Sequence, residues 1–296
     1  MELFLDCLPC LLRQALEAAR LTTDSAPLQR QVMDEALRLL CARGDGQSAP
    51  ALAAQIHGAV RRICGADDPY AALKARSVAA ALACEPQLRA FLDGKKEDRL
   101  YWALKVAVTG NVIDAGISLN CELGDRLESE LAQPFVRCDL DAFAPALAKA
   151  RTLLLIADNA GETVYDRVFA GELPASCRVR YAVRGAPVLN DATRADALAS
   201  GWPDSALLES GCGAPGTLLE RCSPAFLEAF AGADLVVCKG QGNYEALSAC
   251  GRPVYFLLKA KCPRIAQSLG VPLGAYVFAR GGTAPAQEKQ KRAKSS

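Results

Sequence analysis

The sequence predicts an α/β chain in which a helical N-terminal domain packs on a Rossmann-like domain with a mainly parallel sheet. Three observations predict it. Up to about residue 148, apolar residues recur at helical spacing. From Arg151 onward, short continuous apolar runs alternate with helical stretches. Each of those runs ends in a polar loop, most of them glycine-bearing.

In the first half, Cys10–Leu21 repeats Leu11, Leu12, Ala15, Leu16 and Ala19 on one helical face. Gln31–Cys41 does the same with Val32, Ala36, Leu37 and Leu40. Helices are then expected over Ala49–Cys64, Pro69–Ala83, Gln87–Leu92, Glu97–Val108 and Ile113–Leu119. Asp24 and Asp68 stand as caps or turn residues before their helices. No strand-like alternation is visible in this half.

The rhythm changes at Arg151. Thr152–Ala157 is apolar throughout after its first residue, as expected of a strand buried on both faces. Further strands are expected over Arg178–Val183, Ala206–Glu209, Ala233–Cys238 and Pro253–Leu258. Helices are expected between and after them at Thr163–Ala170, Ala192–Ser200, Gly216–Ala231, Tyr244–Ala249 and Pro263–Leu269. Strand, loop and helix in repetition make a parallel sheet covered on both faces. The division is therefore 1–148 helical, 149–282 Rossmann-like and 283–296 a solvated basic tail.

With 296 residues and 51% hydrophobic residues, two domains each have material for a core. The 34 basic and 33 acidic residues nearly cancel, which argues against a nucleic-acid surface. No segment reaches the length of a membrane span. An acid at Glu2 and the lack of a long apolar stretch argue against a signal peptide, so a cytoplasmic location is expected. The 13 cysteines are odd in number and scattered, unlike a disulfide framework. The oligomeric state is not legible.

Ligands of open α/β sheets bind beyond the carboxyl ends of the strands. The five expected strands lead into Asp158–Glu162, Arg184–Thr193, Ser210–Thr217, Lys239–Glu245 and Lys259–Cys262. One sheet edge thus gathers carboxylates, amides, lysines and an arginine. Carboxylate and carbonyl oxygens are hard ligands suited to a divalent cation. Lysines and loop N–H groups suit a phosphate. With no Ser-His or Cys-His pair in view, that combination points to hydrolysis by a metal-activated water. Singly, each piece has a plainer reading. Asp158, Asn159 and Asp191 could cap helices, and Lys239 and Lys259 could be solvated. The convergence of five loops on one edge carries the functional reading.

Three other features carry less. Gly211-Cys212-Gly213-Ala214-Pro215-Gly216 matches G-x-G-x-x-G but follows a late strand, and no ribose-binding acid follows it. His57, the one histidine, lies in a helix and reads as structural. Cys7-Leu8-Pro9-Cys10 lacks the strand context of a redox motif, and a zinc site would need two further ligands, such as Cys84 or Cys121.

Asp158–Glu162, Arg184–Thr193, Lys239–Glu245 and Leu258–Cys262 together resemble the damage-control phosphatase family, long catalogued as a domain of unknown function. Cys7–Cys10, Asp68-Pro69-Tyr70 and Gly110–Asp114 are similar to its stand-alone prokaryotic branch. The resemblance runs from residue 5 to about 275. It implies a divalent metal, typically Mn²⁺, Co²⁺ or Ni²⁺, with Mg²⁺ also suited to such ligands. It places Asp158, Asn159 and Asp191 as metal ligands and Lys259 on the phosphate. It brings Asn111 and Asp114 to the site from the helical domain.

The implied substrate is a small phosphorylated metabolite, often damaged, such as a sugar phosphate. Catalysis is expected from Asp158, Asn159, Asp191, Lys259 and Asp114, with Asp114 or Glu162 orienting the water. Substrate contacts are expected from Asn111, Glu162, Arg184, Asn190, Lys239, Asn243 and Gly213, with Lys239 or Lys261 assisting Lys259. Neither a nucleic acid nor a membrane is an expected partner. Two rival readings are an S-adenosylmethionine-dependent carboxylate methyltransferase and a non-catalytic metal or redox sensor built on Cys7 and Cys10.

Overall fold

A computed structural model describes residues 1–44, 46–113 and 123–283, with backbone alone over 111–113 and 123–126. Three helices come first, α1 (Cys7–Thr22), α2 (Ala26–Cys41) and α3 (Ala49–Cys64). They bury Leu11, Ala15, Val32, Ala36, Leu52, Ile56 and Val60 in a core of their own. Their expected apolar faces pack, except that Leu37 of α2, expected on that face, is 47% exposed. Ser48 caps α3, and Gly65 ends it in the left-handed conformation. The cap of α2 is Ser25, next to the expected Asp24. Asp68 accepts from the Tyr70 N–H at 2.9 Å, as a turn residue should.

Next come α4 (Ala71–Asp93), α5 (Arg99–Ile113) and α6 (Leu123–Ala132). The two helices expected over Pro69–Ala83 and Gln87–Leu92 are one, and Pro86 lies inside it. Residues 114–119 of the helix expected over Ile113–Leu119 lie outside the described residues.

The sheet has seven strands, β1 (Phe135–Cys138), β2 (Thr152–Ile156), β3 (Arg178–Val183), β4 (Leu207–Glu209), β5 (Leu235–Lys239), β6 (Val254–Lys259) and β7 (Tyr276–Gly281). Their order is β1-β7-β6-β5-β2-β3-β4, and every pairing is parallel except β6 with β7. Two strands were missed in the sequence. Phe135–Cys138 interrupts the half expected to be free of strands, so that half contributes to the sheet. With only Phe135 buried and Val136 and Arg137 exposed, it is an edge strand without a two-face apolar run. β7 was hidden by its antiparallel return beside β6.

The remaining helices are α7 (Leu140–Leu147), α8 (Glu162–Gly171), α9 (Arg194–Ala199), α10 (Pro224–Gly232), α11 (Gly240–Leu247) and α12 (Pro263–Leu269). The helix expected over Gly216–Ala231 starts only at Pro224, because Ser223 caps it and Pro224 takes its first turn. α11 starts at Gly240, before the expected Tyr244.

β2 shows why a continuous apolar run was readable as a buried strand. Leu153 and Leu155 enter one core with Val237, Leu257 and α8 residues Val164 and Val168. Leu154 and Ile156 enter the opposite core with Val236, Phe256 and α11 residue Leu247. Side chains alternate faces along a strand, so only a run without polar interruptions fills both. The chain goes from β2 outward to β3 and β4, then returns to β5 on the other side of β2. The loops after β2 and β5 therefore diverge at a topological switch point and leave a crevice between them.

Candidate functional site

That crevice is built by backbone pairing between two loops. Asn159 and Asp191 form an isolated antiparallel bridge. The Ala192 N–H donates to Asp158 O at 2.7 Å, and the Ala160 N–H donates to Asn190 O at 2.8 Å. These bonds zip the loop after β2 to the loop after β3 and set Asp158, Asn159, Asn190 and Asp191 side by side. The same loop holds Leu189 at φ +48°, a left-handed conformation rare for a branched residue. Gly240 closes the crevice from the β5 side at φ +77°. A Cβ there would overlap the Asp158 carboxylate, so this position requires glycine on two counts.

Beneath these residues lies a layer of buried charge. Asn159 spends its Nδ2 on Glu162 Oε1 at 2.9 Å, which leaves its Oδ1 for another partner. Glu162 Oε2 accepts from Lys239 Nζ at 2.7 Å. Lys239 also donates to Asp166 Oδ1 at 2.6 Å and to Ala107 O at 2.9 Å, which uses all three of its protons. Tyr181 Oη donates to Asp166 Oδ2 at 2.8 Å. Burial alone would lower the Lys239 pKa, but Asp166 and Glu162 outweigh it and keep the ammonium charged. Burial pushes Asp166 up to about 6 despite Lys239.

On the other side Arg184 Nε donates to Asp191 Oδ2 at 2.6 Å. Its Nη1 reaches Thr217 Oγ1 at 3.1 Å and Asn243 Oδ1 at 3.2 Å. Its Nη2 has no hydrogen-bond partner and lies 4.0 Å from Asp158 Oδ1. Asn243 in turn donates to Ala157 O at 3.0 Å and Lys239 O at 2.7 Å. Burial, then Asp191 and Glu162, push the Asp158 carboxyl well up. Burial also raises Asp191, against the pull of Arg184.

Above the pair is a cavity of about 310 Å³, lined by Asp158, Asn159, Asn190, Asp191, Lys259 and Lys261 among others. α1 supplies Cys7, Cys10, Leu11 and Gln14 to the opposite wall, and α3 supplies Ala49, Pro50 and Ala53. Lys259 Nζ donates to Glu130 Oε2 at 2.9 Å, and Tyr276 Oη donates to the same oxygen at 2.5 Å.

The donor set suits a hard divalent cation. Asp158, Asp191, Glu162 and Asp166 are gathered around Arg184 and Lys239, so carboxylates outnumber the cations they contact here. Asp158, Asn159 and Asp191 line the cavity, and their carboxylate and carboxamide oxygens are the ligands such an ion prefers. No group of three or more His, Cys, Asp or Glu placed to hold a metal occurs among the described residues. The candidate set mixes two carboxylates with a carboxamide. Cys7 and Cys10 therefore have no thiolate cage around them in the described residues, and Cys121 lies outside them.

The damage-control phosphatase ARMT1-like domain matches residues 3–277. The chain belongs to the damage-control phosphatase family. A damage-control phosphatase of Archaeoglobus fulgidus is 33% identical over 280 residues, covering 92% of this chain and 96% of that protein. One of Pyrococcus horikoshii is 31% identical over 289 residues, covering 95% and 98%. The crystal structure of a DUF89 family protein from Pyrococcus horikoshii superposes with a TM-score of 0.85 at 30% identity, covering 95% of this chain and 99% of that one. The family and the α/β fold thus agree with the reading of the sequence.

Within this family member the expected site residues separate into two layers. Asp158, Asn159, Asn190, Asp191 and Lys259 line the cavity. Lys239, expected on the substrate, does not; it is 1% exposed and its protons are spent on Glu162, Asp166 and Ala107. Glu162 is fully buried and braces Asn159, so it has no access to a water in the cavity. Arg184 and Asn243 brace Asp191 and the loop after β4. Gly213 packs against Ala186, away from the cavity lining. Asp114 lies outside the described residues, and of Asn111 only the backbone is described. Gly216 and Gly242 let the loop after β4 meet the first turn of α11 backbone to backbone, which gives the G-x-G-x-x-G stretch a packing role. His57 is buried with no partner on either nitrogen, and burial lowers it to about 4. Sequence reasoning missed Glu130, Asp166, Tyr181 and Gln14. Glu130, Asp166 and Tyr181 are ordinary helix or strand residues whose partners lie 15 or more residues along the chain, and Gln14 bonds only Cys10 on its own helix, so no local signal marked them.

Proposed function

We propose that this protein is a metal-dependent phosphatase that hydrolyses phosphate monoesters of small metabolites, such as sugar phosphates and their damaged forms. One observation carries the reading. The Asp158–Asn159–Asp191 cluster brings two carboxylates and a carboxamide oxygen to a cavity that also holds Lys259. A pocket that pairs a cation-seeking cluster with a lysine fits a phosphate bridging the two.

A divalent cation (Mn²⁺, Co²⁺ or Ni²⁺, with Mg²⁺ compatible) would polarise the phosphoryl group and acidify a water there. The chain's own residues do the rest. Asn159 is held by Glu162 and Asp191 by Arg184, so both present fixed oxygens without reorganising. Lys259 offers its ammonium to the phosphoryl oxygens from the cavity wall while Glu130 holds its position. The α1 and α3 wall covers the far side and excludes bulk water from part of the pocket. Neither rival reading gains an observation here, since the glycines of the loop after β4 are engaged in packing and Cys7 and Cys10 have no ligand cage among the described residues.

Phosphate release from p-nitrophenyl phosphate and a panel of sugar phosphates, with EDTA and then with each metal restored, tests the proposal. Activity that disappears with chelator and returns with metal supports it. Asp158→Ala should remove turnover while the melting curve of the chelated protein stays put or rises, because one of the crowded carboxylates is gone. Wild-type turnover in that variant would refute the assignment.

A further inference from the structure

Four carboxylates line the cavity: Asp6, Asp158, Asp191 and Glu245. Asp158 and Asp191 belong to the cation cluster. Asp6 is 65% exposed and bonded to Arg264 at 2.7 Å. Glu245 is different. It sits on α11 one turn beyond Gln241, whose side chain accepts from the Lys261 and Cys262 N–H groups at 2.9 Å. The Glu245 carboxyl accepts no hydrogen bond within the described residues; the Met1 ammonium donates to its backbone carbonyl instead. The buried carboxylates of the charge layer are served quite otherwise, Glu162, Asp166 and Asp191 each by at least one donor within 2.9 Å. Burial raises Glu245 to about 7, with the Met1 ammonium opposing.

A second acceptor on the same cavity also lacks a donor. α1 presents Cys7, Cys10, Leu11 and Gln14 on one helical face. Gln14 gives its Nε2 to Cys10 Sγ at 3.6 Å, and its Oε1 has no partner. A carboxyl and a carbonyl left without donors are costly unless whatever fills the cavity supplies them.

We propose that Glu245 and Gln14 form a subsite that binds hydrogen-bond donors, hydroxyl or ammonium, on the non-phosphate part of the substrate. They thereby select donor-bearing metabolites over apolar esters. Leu11, Ala49, Pro50 and Ala53 give that wall apolar surface beside the thiols of Cys7 and Cys10. This rests on the phosphatase reading.

The test uses the metal-restored full chain and compares three esters: p-nitrophenyl phosphate, glycerol phosphate and aminoethyl phosphate. Glu245→Leu and Gln14→Leu should each lower kcat/KM by about tenfold or more, mainly through KM, on at least one donor-bearing ester. Both should stay within about threefold of wild type on p-nitrophenyl phosphate, which also shows that the variants fold. Loss confined to the hydroxyl or to the amino ester supports the subsite and names its preferred donor. Equal loss on all three esters, or no loss on any, overturns it. A wild-type chain that hydrolyses none of them defeats the phosphatase reading instead, which is a separate result.

Discussion

Replacing Lys239 with methionine tests whether the charge layer under the site is a structural keystone. The side chain is 1% exposed between two fully buried carboxylates, at 2.7 Å from Glu162 and 2.6 Å from Asp166. Methionine keeps much of the volume but leaves both acids without their cation. Removing one partner of a buried ion pair costs about 3–5 kcal/mol. For 296 residues the unfolding entropy is about 0.6 kcal/mol/K, so the melting temperature should fall by about 5–8 °C. The measurement is thermal unfolding in EDTA, so that no bound cation enters.

The pH dependence sharpens the test. Asp166 already lies at about 6 in the folded chain, above the ordinary 3.8. The folded state therefore binds more protons than the unfolded one between those values, and this group's penalty is complete only above pH 6. Without Lys239 the Asp166 pKa rises further. The cost of Lys239→Met should be largest near pH 8 and shrink as the pH falls towards 6. A cost below about 1 kcal/mol, or one that grows on acidification, would refute the reasoning.

Other outcomes follow from the same geometry. His57 is buried without a partner and lowered to about 4, against 6.5 when unfolded. The unfolded state binds more protons between those values, so stability on the order of 3 kcal/mol is complete above pH 6.5 and lost as pH falls towards 4. His57→Leu should flatten that limb of a melting-temperature profile while leaving catalysis unchanged. Gly240→Ala should displace the Asp158 carboxylate and strain a left-handed backbone, lowering turnover far more than Cys7→Ser does. If Gly240→Ala matched wild-type kcat at saturating metal, the close approach would not matter to the site.

The parts of the fold legible in the sequence are those where one local pattern had one cause. Leu153 to Ile156 fill two cores at once, so their unbroken run marked β2. Leu11, Ala15, Val32 and Ala36 recur at helical spacing because α1 and α2 each bury one face. β1 was illegible because an edge strand with one buried residue carries no such run. α4 was split by Pro86 because a proline inside a helix is a rare event that tertiary packing overrode.

The candidate site divides along the same line. Asp158, Asn159, Asn190 and Asp191 were readable because they occupy loops at strand ends, where an α/β sheet exposes polar side chains to its crevice. Lys239, at the end of β5, and Glu162, at the start of α8, sit beside equally suggestive loops, yet they are buried. Only the packing of α5 and α8 against the sheet decides that, by placing Ala107 O and Asp166 around the Lys239 ammonium. The sequence determined the fold class, the family and which strand ends carry polar chemistry, because periodicity and residue type are local properties. Only the tertiary structure decided which charges face the cavity and which are sealed beneath it. That choice depends on partners such as Lys239 and Ala107, 132 residues apart, and burial without those partners would be too costly to occur.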